Sequence, residues 1–460
     1  MSNRRPVKLS ANPVIFVGLF VILTAASLII NRGESQHGPF NWYVTIAWSL
    51  FATSAIPGVI GAWSLRRIRQ STFGGRVGEL VICVIPTVGR HSTIPALYRV
   101  IESILEHGPR NWDNFRIDVC LDHGSEGLAA IKRRYGCVPH VRLIEIPESY
   151  TTPNGTRWKA RANQFLLDLR QKEGENEPNT WIYHLDDDTA IGPDTVASIA
   201  ELISNDAGKY HLAQGVLTFP LELTRSRFCQ LADAVRPGDD MTRFGFFTHL
   251  LGSPLGGLHG EHMVVRSSVE EQIGWDYGSV WVVEDAAFAL RFAQFFPGQS
   301  TFLNSCTYGA SPSSIKDLVA QRQRWAWGLV NLFLVPSISP WRIKAPLACF
   351  VLSWILGPFQ HVIVVMVAAY LLGTDNILPV HPSVTIVWSF NMAYLVWTYL
   401  EGLRVNVQVS TKKHRFWPRA FAFLSPMIVL IAAVEAVGCL RGLVDVLKKR
   451  NTVGAIDKPL

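Results

Sequence analysis

An α/β domain set between membrane-spanning helices is the fold class that this sequence predicts, and three observations predict it. Apolar segments of spanning length lie toward both ends of the chain. Residues 79–341 contain no apolar run of that length, and within them short β-rich segments alternate with amphipathic helical ones. Composition agrees: of 460 residues 48% are hydrophobic and 17% charged, and 15 are Trp, the balance of a membrane protein with a large water-facing part. The net charge of +7 does not argue for a nucleic-acid partner. The basic residues crowd beside the apolar segments (Arg4, Arg5, Lys8; Arg66, Arg67, Arg69; Lys412, Lys413, Arg415), where membrane topology accounts for them. Seven cysteines are scattered without CxxC spacing, as expected of free thiols in a reducing compartment.

Taken in order, residues 13–30 and 42–63 are each apolar over about the length that crosses ~30 Å of hydrocarbon. Their closeness predicts a membrane hairpin. The first lacks a small-residue cleavage site and is followed at once by the second, which argues against a signal peptide. Both outer flanks are basic, so residues 1–10 and the region after Leu65 are expected in the cytosol, with 31–41 outside. Toward the other end, 343–372 is interrupted by Pro346 and Pro358 and is expected to be kinked or partly interfacial. Residues 384–403 form a further span, 373–382 facing out and the basic 404–419 cytosolic. The stretch 420–440 contains Pro426 and Glu435 and precedes Lys448-Lys449-Arg450. A re-entrant or hairpin course would keep that basic cluster inside, with Glu435 either buried and paired or facing a polar path. The predicted divisions are an N-terminal transmembrane hairpin over 1–65, a cytosolic α/β domain with an interfacial helix over 66–341, and C-terminal transmembrane or interfacial helices with a cytosolic tail over 342–460.

Within the α/β region, strands are predicted at 80–85, 115–121, 141–146 and 181–185, with helices at 94–107 and 156–169. Three strand ends carry polar groups: Pro86-Thr87, Asp122-His123-Gly124-Ser125 and Asp186-Asp187-Asp188. Their shared carboxyl edge is where open α/β sheets hold nucleotides. Asp186 and Asp188, two apart at a strand end, suit one hard cation such as Mg2+ or Mn2+; a solvated turn capping the next helix is the plainer reading. Lys159 and Arg161, one helix earlier, could neutralise a diphosphate. The apolar run 280–283 ends in Glu284-Asp285 ahead of a helical pattern at 286–295, where helix capping competes with chemistry for Asp285. Gln321, Arg324 and Trp325 share one helical face, and interfacial anchoring is the plainer role for the Arg/Trp pair.

In this order, Pro86-Thr87, Asp122-x-Gly124-Ser125, Lys159-x-x-x-Asn163, Asp186-Asp187-Asp188, Glu284-Asp285 and Gln321-x-x-Arg324-Trp325, the chain resembles the membrane-integrated family 2 glycosyltransferases, which include cellulose and hyaluronan synthases. More narrowly it resembles the Egghead-type β-1,4-mannosyltransferases, through His184-Leu185-Asp186, Gln214-Gly215, Ala232-Asp233 with Asp239-Asp240-Met241, and Ser311-Pro312. The likeness covers about residues 78–330. It implies a GT-A fold and a set of roles. Thr87 and Asp122 would bind the donor, Lys159 its diphosphate, and Asp186 and Asp188 the donor and its Mg2+ or Mn2+. Asp285, beside Glu284, would be the catalytic base. Gln321, Arg324 and Trp325 would close over the donor, Trp325 also meeting the acceptor. Two departures stand out: His123 replaces a second Asp, and Gly260-Glu261-His262 occupies a position near the acceptor where relatives tend to have Gly-Ser, which makes Glu261 and His262 candidate acceptor contacts. The implied activity is inverting transfer of a hexose, mannose by the narrower likeness, from a nucleotide sugar such as GDP-mannose to a lipid-linked or glycolipid acceptor, by a multi-pass membrane protein with its catalytic domain in the cytosol. A processive polysaccharide synthase is the enzymatic alternative. A transporter or inactive scaffold is the alternative of another class, opposed by acidic motifs that lie outside the spans, within which only Glu401 and Glu435 are acidic.

Overall fold

The computed structural model describes residues 6–30, 39–206, 208–373, 381–411 and 417–450. Helices α1 (Pro13–Ile30) and α2 (Pro39–Ser64) lead into strand β1 (Val77–Thr87). Then follow α3 (Ile94–His107), β2 (Trp112–Asp122), α4 (Leu128–Tyr135), β3 (Val141–Ile146), α5 (Trp158–Glu173), β4 (Thr180–His184), β5 (Ala190–Ile191), α6 (Pro193–Asp206) and β6 (Leu212–Thr218). The chain continues through α7 (Arg227–Asp233), α8 (Val235–Asp239) and two π-helical turns (Asp240–Phe244 and Phe246–Leu250) to β7 (Met263–Arg266), α9 (Ser267–Ile273), α10 (Glu284–Phe295) and β8 (Ser300–Tyr308). It closes with α11 (Ile315–Leu334), α12 (Trp341–Gly373), α13 (Pro382–Val409) and α14 (Trp417–Leu447).

The strands form one mixed eight-stranded sheet in the order β3-β2-β1-β4-β7-β6-β8-β5. β1 is parallel to both β2 and β4, and β2 is parallel to β3. The order therefore reverses beside β1, and the crevice outside the carboxyl ends of β1 and β4 is the place such sheets offer a ligand. β7 runs antiparallel to β4 and to β6, while β8 runs parallel to β6. The α/β class and the first four strands match the sequence expectation, and each of the four structural strands contains or nearly contains its predicted run. The returning strands on the β7 side were not anticipated.

The period of two along β1 divides the interior. Ile82 and Val84, with Ile182 of β4, face a core built with Leu166 of α5, Phe288 of α10 and Ala326 of α11. Val81, Cys83 and Ile85 face the opposite core, with Leu97 and Ile101 of α3 and Ile199 of α6. The first core continues into Leu347 of α12 and Cys439 of α14, so the α/β part and the C-terminal helices share buried apolar surface.

At the C-terminal end the helix expected over 343–372 is present, and two other expectations change. α14 runs unbroken to Leu447 instead of forming a hairpin over 420–440. Its Glu435 accepts from Arg322 Nε at 2.8 Å, so the charge is met by a partner without turning the helix toward water. α12 is one helix across Pro346. α13 extends to Val409, which puts Arg404 within a helix; it pairs with Glu401 at 2.6 Å and donates to the Lys8 and Ser10 carbonyls at 3.1 Å. Most of the expected connections at 31–41 and 373–382, and residues 412–416 of the expected basic loop, lie outside the described residues. Among the described residues one stretch, Met427–Leu447, is long and apolar enough to cross a membrane, and Pro13–Ile29 is a shorter apolar helix.

A buried cluster fixes the end of β4. Glu270 of α9 accepts from Arg170 Nη2 at 2.5 Å, His184 Nε2 at 2.9 Å and Trp275 Nε1 at 2.7 Å. Burial alone would raise the Glu270 carboxyl, but Arg170 and His184 hold it down at about 2, while burial lowers His184 against the pull of Glu270. The carboxylate's contribution is therefore present above the unfolded value of about 4.3 and lost as pH falls toward 2. Glu270→Ala, which strands the buried Arg170, is expected to destabilise the fold by about 3–5 kcal/mol, read as a lowered unfolding midpoint of the purified chain. A midpoint equal to wild type would contradict this role.

Candidate active site

The acidic end of β4 opens onto a cavity of about 600 Å³. Its polar wall is drawn from several elements. Thr87 ends β1, Asp186, Asp187 and Asp188 follow β4, Lys159 begins α5, and Glu284 and Asp285 open α10. Gln321, Arg324 and Trp325 of α11 complete it, and their i, i+3, i+4 spacing accounts for their common aspect.

Short contacts tie these groups together. Thr87 Oγ1 donates to Asp187 Oδ2 at 2.5 Å, and Arg99 Nη2 donates to the Asp188 carbonyl at 2.8 Å. Lys159 Nζ is ion-paired with Asp186 and donates to the Gly260 carbonyl at 2.5 Å. A Cβ at position 260 would lie 2.9 Å from Lys159 Nζ and 3.3 Å from Asp285 Oδ2, so glycine there lets the ammonium and the carboxylate approach from both sides of one backbone segment. Burial would lower Lys159, but Asp186 and Glu284 overcome it and keep the ammonium charged. Arg324 is lowered by burial and supported by Asp186 and Glu284, which marks the same carboxylates as its surroundings.

Glu284 and Asp285 lie in the first turn of α10, where the dipole favours negative charge. Asp285 Oδ1 accepts from the Ala286 N–H at 2.7 Å, so the capping interaction considered from sequence is made by a residue that also lines the cavity. Burial, and then the neighbouring Asp285 charge, push Glu284 up to about 8; Asp285 is raised by burial and opposed by Lys159. Burial and their closeness thus favour protonation within the pair, the push being stronger on Glu284.

Other residues sit where the sequence did not put them. Glu261, expected near the acceptor, joins the acidic strand end: one carboxylate oxygen from each of Asp186, Asp188 and Glu261 lies within 4.8 Å of the others. Glu261 also accepts from Thr189 Oγ1 and, at 3.1 Å, from Arg236 Nη2. His262, also expected at the acceptor, is fully buried. Its ring lies 2.9 Å from the Tyr183 hydroxyl, and its Nε2 lies 3.1 Å from the Ser305 carbonyl. Its backbone is left-handed, φ +56°, and that turn sends consecutive side chains to cavity and core. Burial lowers His262 to about 4, so it is a neutral structural group. Asp122 lies outside the cavity wall at the end of β2, about half exposed and bonded to Arg161 Nη1 at 2.8 Å.

The motif Gln214-Gly215 acquires a reason: the Gln214 amide donates to the His259 and Glu261 carbonyls at 3.1 and 3.4 Å and accepts from the His259 N–H at 3.2 Å, clamping the segment that carries Glu261. His259 pairs with Asp240 at 2.7 Å and lines the cavity. Arg236 had no assigned role. Its place between Glu261 and the Trp325 ring, 5.4 Å from the ring centroid, could be sought only in the neighbourhood of the Asp233 and Asp239-Asp240 motifs. Beyond the polar wall the cavity turns apolar, along Phe51 of α2, Leu347, Phe350 and Trp354 of α12 and Leu395 of α13.

Residues 181–400 match the family described as glycosyl transferase family group 2. The β-1,4-mannosyltransferase egh of Drosophila melanogaster is 28% identical over 294 residues, 62% of this chain and 62% of that protein. The β-1,4-mannosyltransferase bre-3 of Caenorhabditis elegans is 28% identical over 220 residues, 48% of this chain and 47% of that protein. The chain thus spans between about half and three fifths of the length of these curated relatives. Among solved structures, mannosyltransferase PcManGT from Pyrobaculum calidifontis, in complex with GDP-Man and Mn2+, is 15% identical with a TM-score of 0.47, over 94% of this chain and 99% of that one.

Protonation within the pair gives a direct test. At pH 7 the infrared spectrum of the purified chain is expected to contain a protonated-carboxyl band that Glu284→Gln removes. Lys159→Met, which takes away the opposing positive charge, should move the band's titration to higher pH. A spectrum unchanged by Glu284→Gln would contradict the assignment.

Proposed function

We propose that this chain, which carries a family 2 glycosyltransferase domain over residues 181–400, transfers a hexose from a nucleotide sugar to a membrane-anchored glycan or glycolipid, inverting the anomeric carbon. The observation that carries this reading is the meeting of two carboxylate groups across one cavity, the β4 end on one side and Glu284-Asp285 on the other, with Lys159 between them. Such a site can hold a phosphorylated leaving group on one face and deprotonate an incoming hydroxyl on the other.

Asp285 is the base. It takes the proton of the acceptor hydroxyl as that oxygen bonds to the anomeric carbon, while the bond from that carbon to the diphosphate oxygen breaks and its electron pair leaves with the nucleoside diphosphate. Glu284 is pushed up by burial and by Asp285, which favours its neutral form and limits the negative charge beside the base. Lys159, Arg324 and Gln321 receive the charge gathering on the diphosphate, Lys159 turning from Asp186 toward it. Trp325 offers its ring to a sugar face. Asp186, Asp188 and Glu261 fit Mg2+ or Mn2+, since three carboxylate oxygens within 4.8 Å make the hard anionic donor set these ions prefer. Such an ion, when bound, would neutralise diphosphate charge as a Lewis acid.

Mannose as the sugar is supported by the names of the two β-1,4-mannosyltransferase relatives; GDP-mannose is the donor to be tried first. A lipid-anchored acceptor is supported by the apolar wall that leads from the polar end of the cavity along α2, α12 and α13. Basic residues Arg66, Arg67 and Arg69 beside α2 support a multi-pass arrangement with the sheet on the cytosolic side. Within that arrangement the sheet region acts as a GT-A catalytic domain over 66–341, flanked by membrane-associated blocks at 1–65 and 342–460.

With labelled nucleotide sugar and Mn2+, wild-type protein is expected to turn over the donor, while EDTA, Asp186→Ala or Asp188→Ala abolishes turnover in a chain that still folds. Full activity in EDTA would refute the metal assignment. Asp285→Asn keeps the capping oxygen but not the base, and should lower the transfer rate by about 10²-fold or more with donor binding retained; loss of less than about tenfold would leave Asp285 a helix cap.

A further inference from the structure

Arg322 stands inside the motif that supplies Gln321, Arg324 and Trp325, and its side chain is bound within the protein to partners on three helices. It is almost fully buried, as is Asp233. Arg322 Nη2 donates to Asp233 Oδ1 at 2.9 Å, Nε to Glu435 Oε1 at 2.8 Å, and Nη1 to Gln321 Oε1 at 2.8 Å. One guanidinium therefore joins α7, α11 and α14 and holds the Gln321 side chain. Its Cζ also lies 4.6 Å from the Trp325 ring centroid; Arg236, bonded to Glu261, approaches the same ring at 5.4 Å.

α14 is shaped to this contact. Glu435, Gly438, Gly442 and Asp445 fall at helical spacing on one side and all meet α11. A Cβ at 438 would lie 2.7 Å from Arg322 Cβ, and one at 442 would lie 2.6 Å from the Gln323 carbonyl oxygen and 2.9 Å from Ala326 Cβ. Gln323 Nε2 donates to Asp445 Oδ2 at 2.6 Å. The two glycines let the helices approach closely enough for the charged bonds at either end to form.

We propose that Arg322, Asp233 and Glu435 form a positioning cluster through which the C-terminal helix α14 sets the seat of Gln321 and Trp325 against the acidic end of β4. A buried triad of this kind is weak support for stability compared with well-packed apolar residues, but it specifies one arrangement where an apolar contact allows several. The chain of contacts runs without a gap from Glu435 through Arg322, Trp325 and Arg236 to Glu261, so a shift of α14 reaches the carboxylates of the proposed donor site. The catalytic meaning of that seat rests on the glycosyltransfer reading; the mechanical coupling does not.

Two readouts on the full-length chain keep them apart. In hydrogen exchange, Glu435→Gln is expected to speed exchange across residues 321–326 by about tenfold while 180–184 stays as in wild type. In donor turnover, the same variant is expected to lose kcat by up to about 10²-fold with a much smaller change in KM for the nucleotide sugar. The triple variant Arg322→Met, Asp233→Leu, Glu435→Leu leaves no member of the triad as an unpaired buried charge and should fold, yet show the same loss of kcat. Unchanged exchange at 321–326 in Glu435→Gln, or wild-type kcat in the folded triple variant, would overturn the positioning role. If wild-type protein turns over no nucleotide sugar, the functional reading fails, and the exchange result still decides the coupling.

Discussion

Carboxylates crowd one end of this sheet, and the surrounding structure depends on how their charge is held. Asp186, Asp188, Glu261, Glu284 and Asp285 all face one cavity, where charges screen one another less than in water. Lys159 answers Asp186, Arg236 answers Glu261, and Arg324 faces Asp186 and Glu284. The residual repulsion and burial are expressed as a raised Glu284. The elements that bring these cations in are α5, α8 and α11, so the packing of three helices around the strand ends and the electrostatics of the site are one problem. On the proposed reading, a phosphorylated ligand with a divalent ion would enter a place whose carboxylates are only partly offset by cations.

The parts legible in the sequence were those with a short-range physical signature. A buried parallel strand is a run of apolar, β-branched or aromatic residues that stops, and the runs at 80–85 and 181–185 stop in Pro86-Thr87 and in three aspartates, which the fold brings to one edge. The face shared by Gln321, Arg324 and Trp325 follows from helical spacing alone. What could not be read depended on distant partners. β6 is buried along its whole length but carries Gln214 and Gly215 in its middle, and β7 has only four residues, so neither has the pattern of a strand until the neighbours are known. Glu261 and His262 are adjacent, yet a left-handed backbone at His262 sends one to the acidic cluster and the other to the core. The basic cluster at 448–450 suggested a break in the preceding helix, which the structure does not have; Glu435 was expected to be paired or to face a polar path, and its partner, Arg322, lies more than a hundred residues away.

The same cavity links the sheet to its flanking helices. Its polar end belongs to strand ends and its apolar end to α2, α12 and α13, so an amphiphile could lie with its polar head beside Asp285 and its apolar part along the helices. Holding both reactants in that way lowers the entropic cost of bringing them together. On the proposed reading, the helices beyond the sheet would then contribute to holding the acceptor.

Incubation of the purified full-length chain with Mn2+, labelled GDP-mannose and extracted membrane lipids tests this arrangement most directly. Label recovered in the organic phase as one discrete species, absent when Asp285→Asn replaces wild type, is the expected result. Label appearing as a water-soluble ladder of increasing length, or an organic-phase product that persists undiminished in Asp285→Asn, would contradict it.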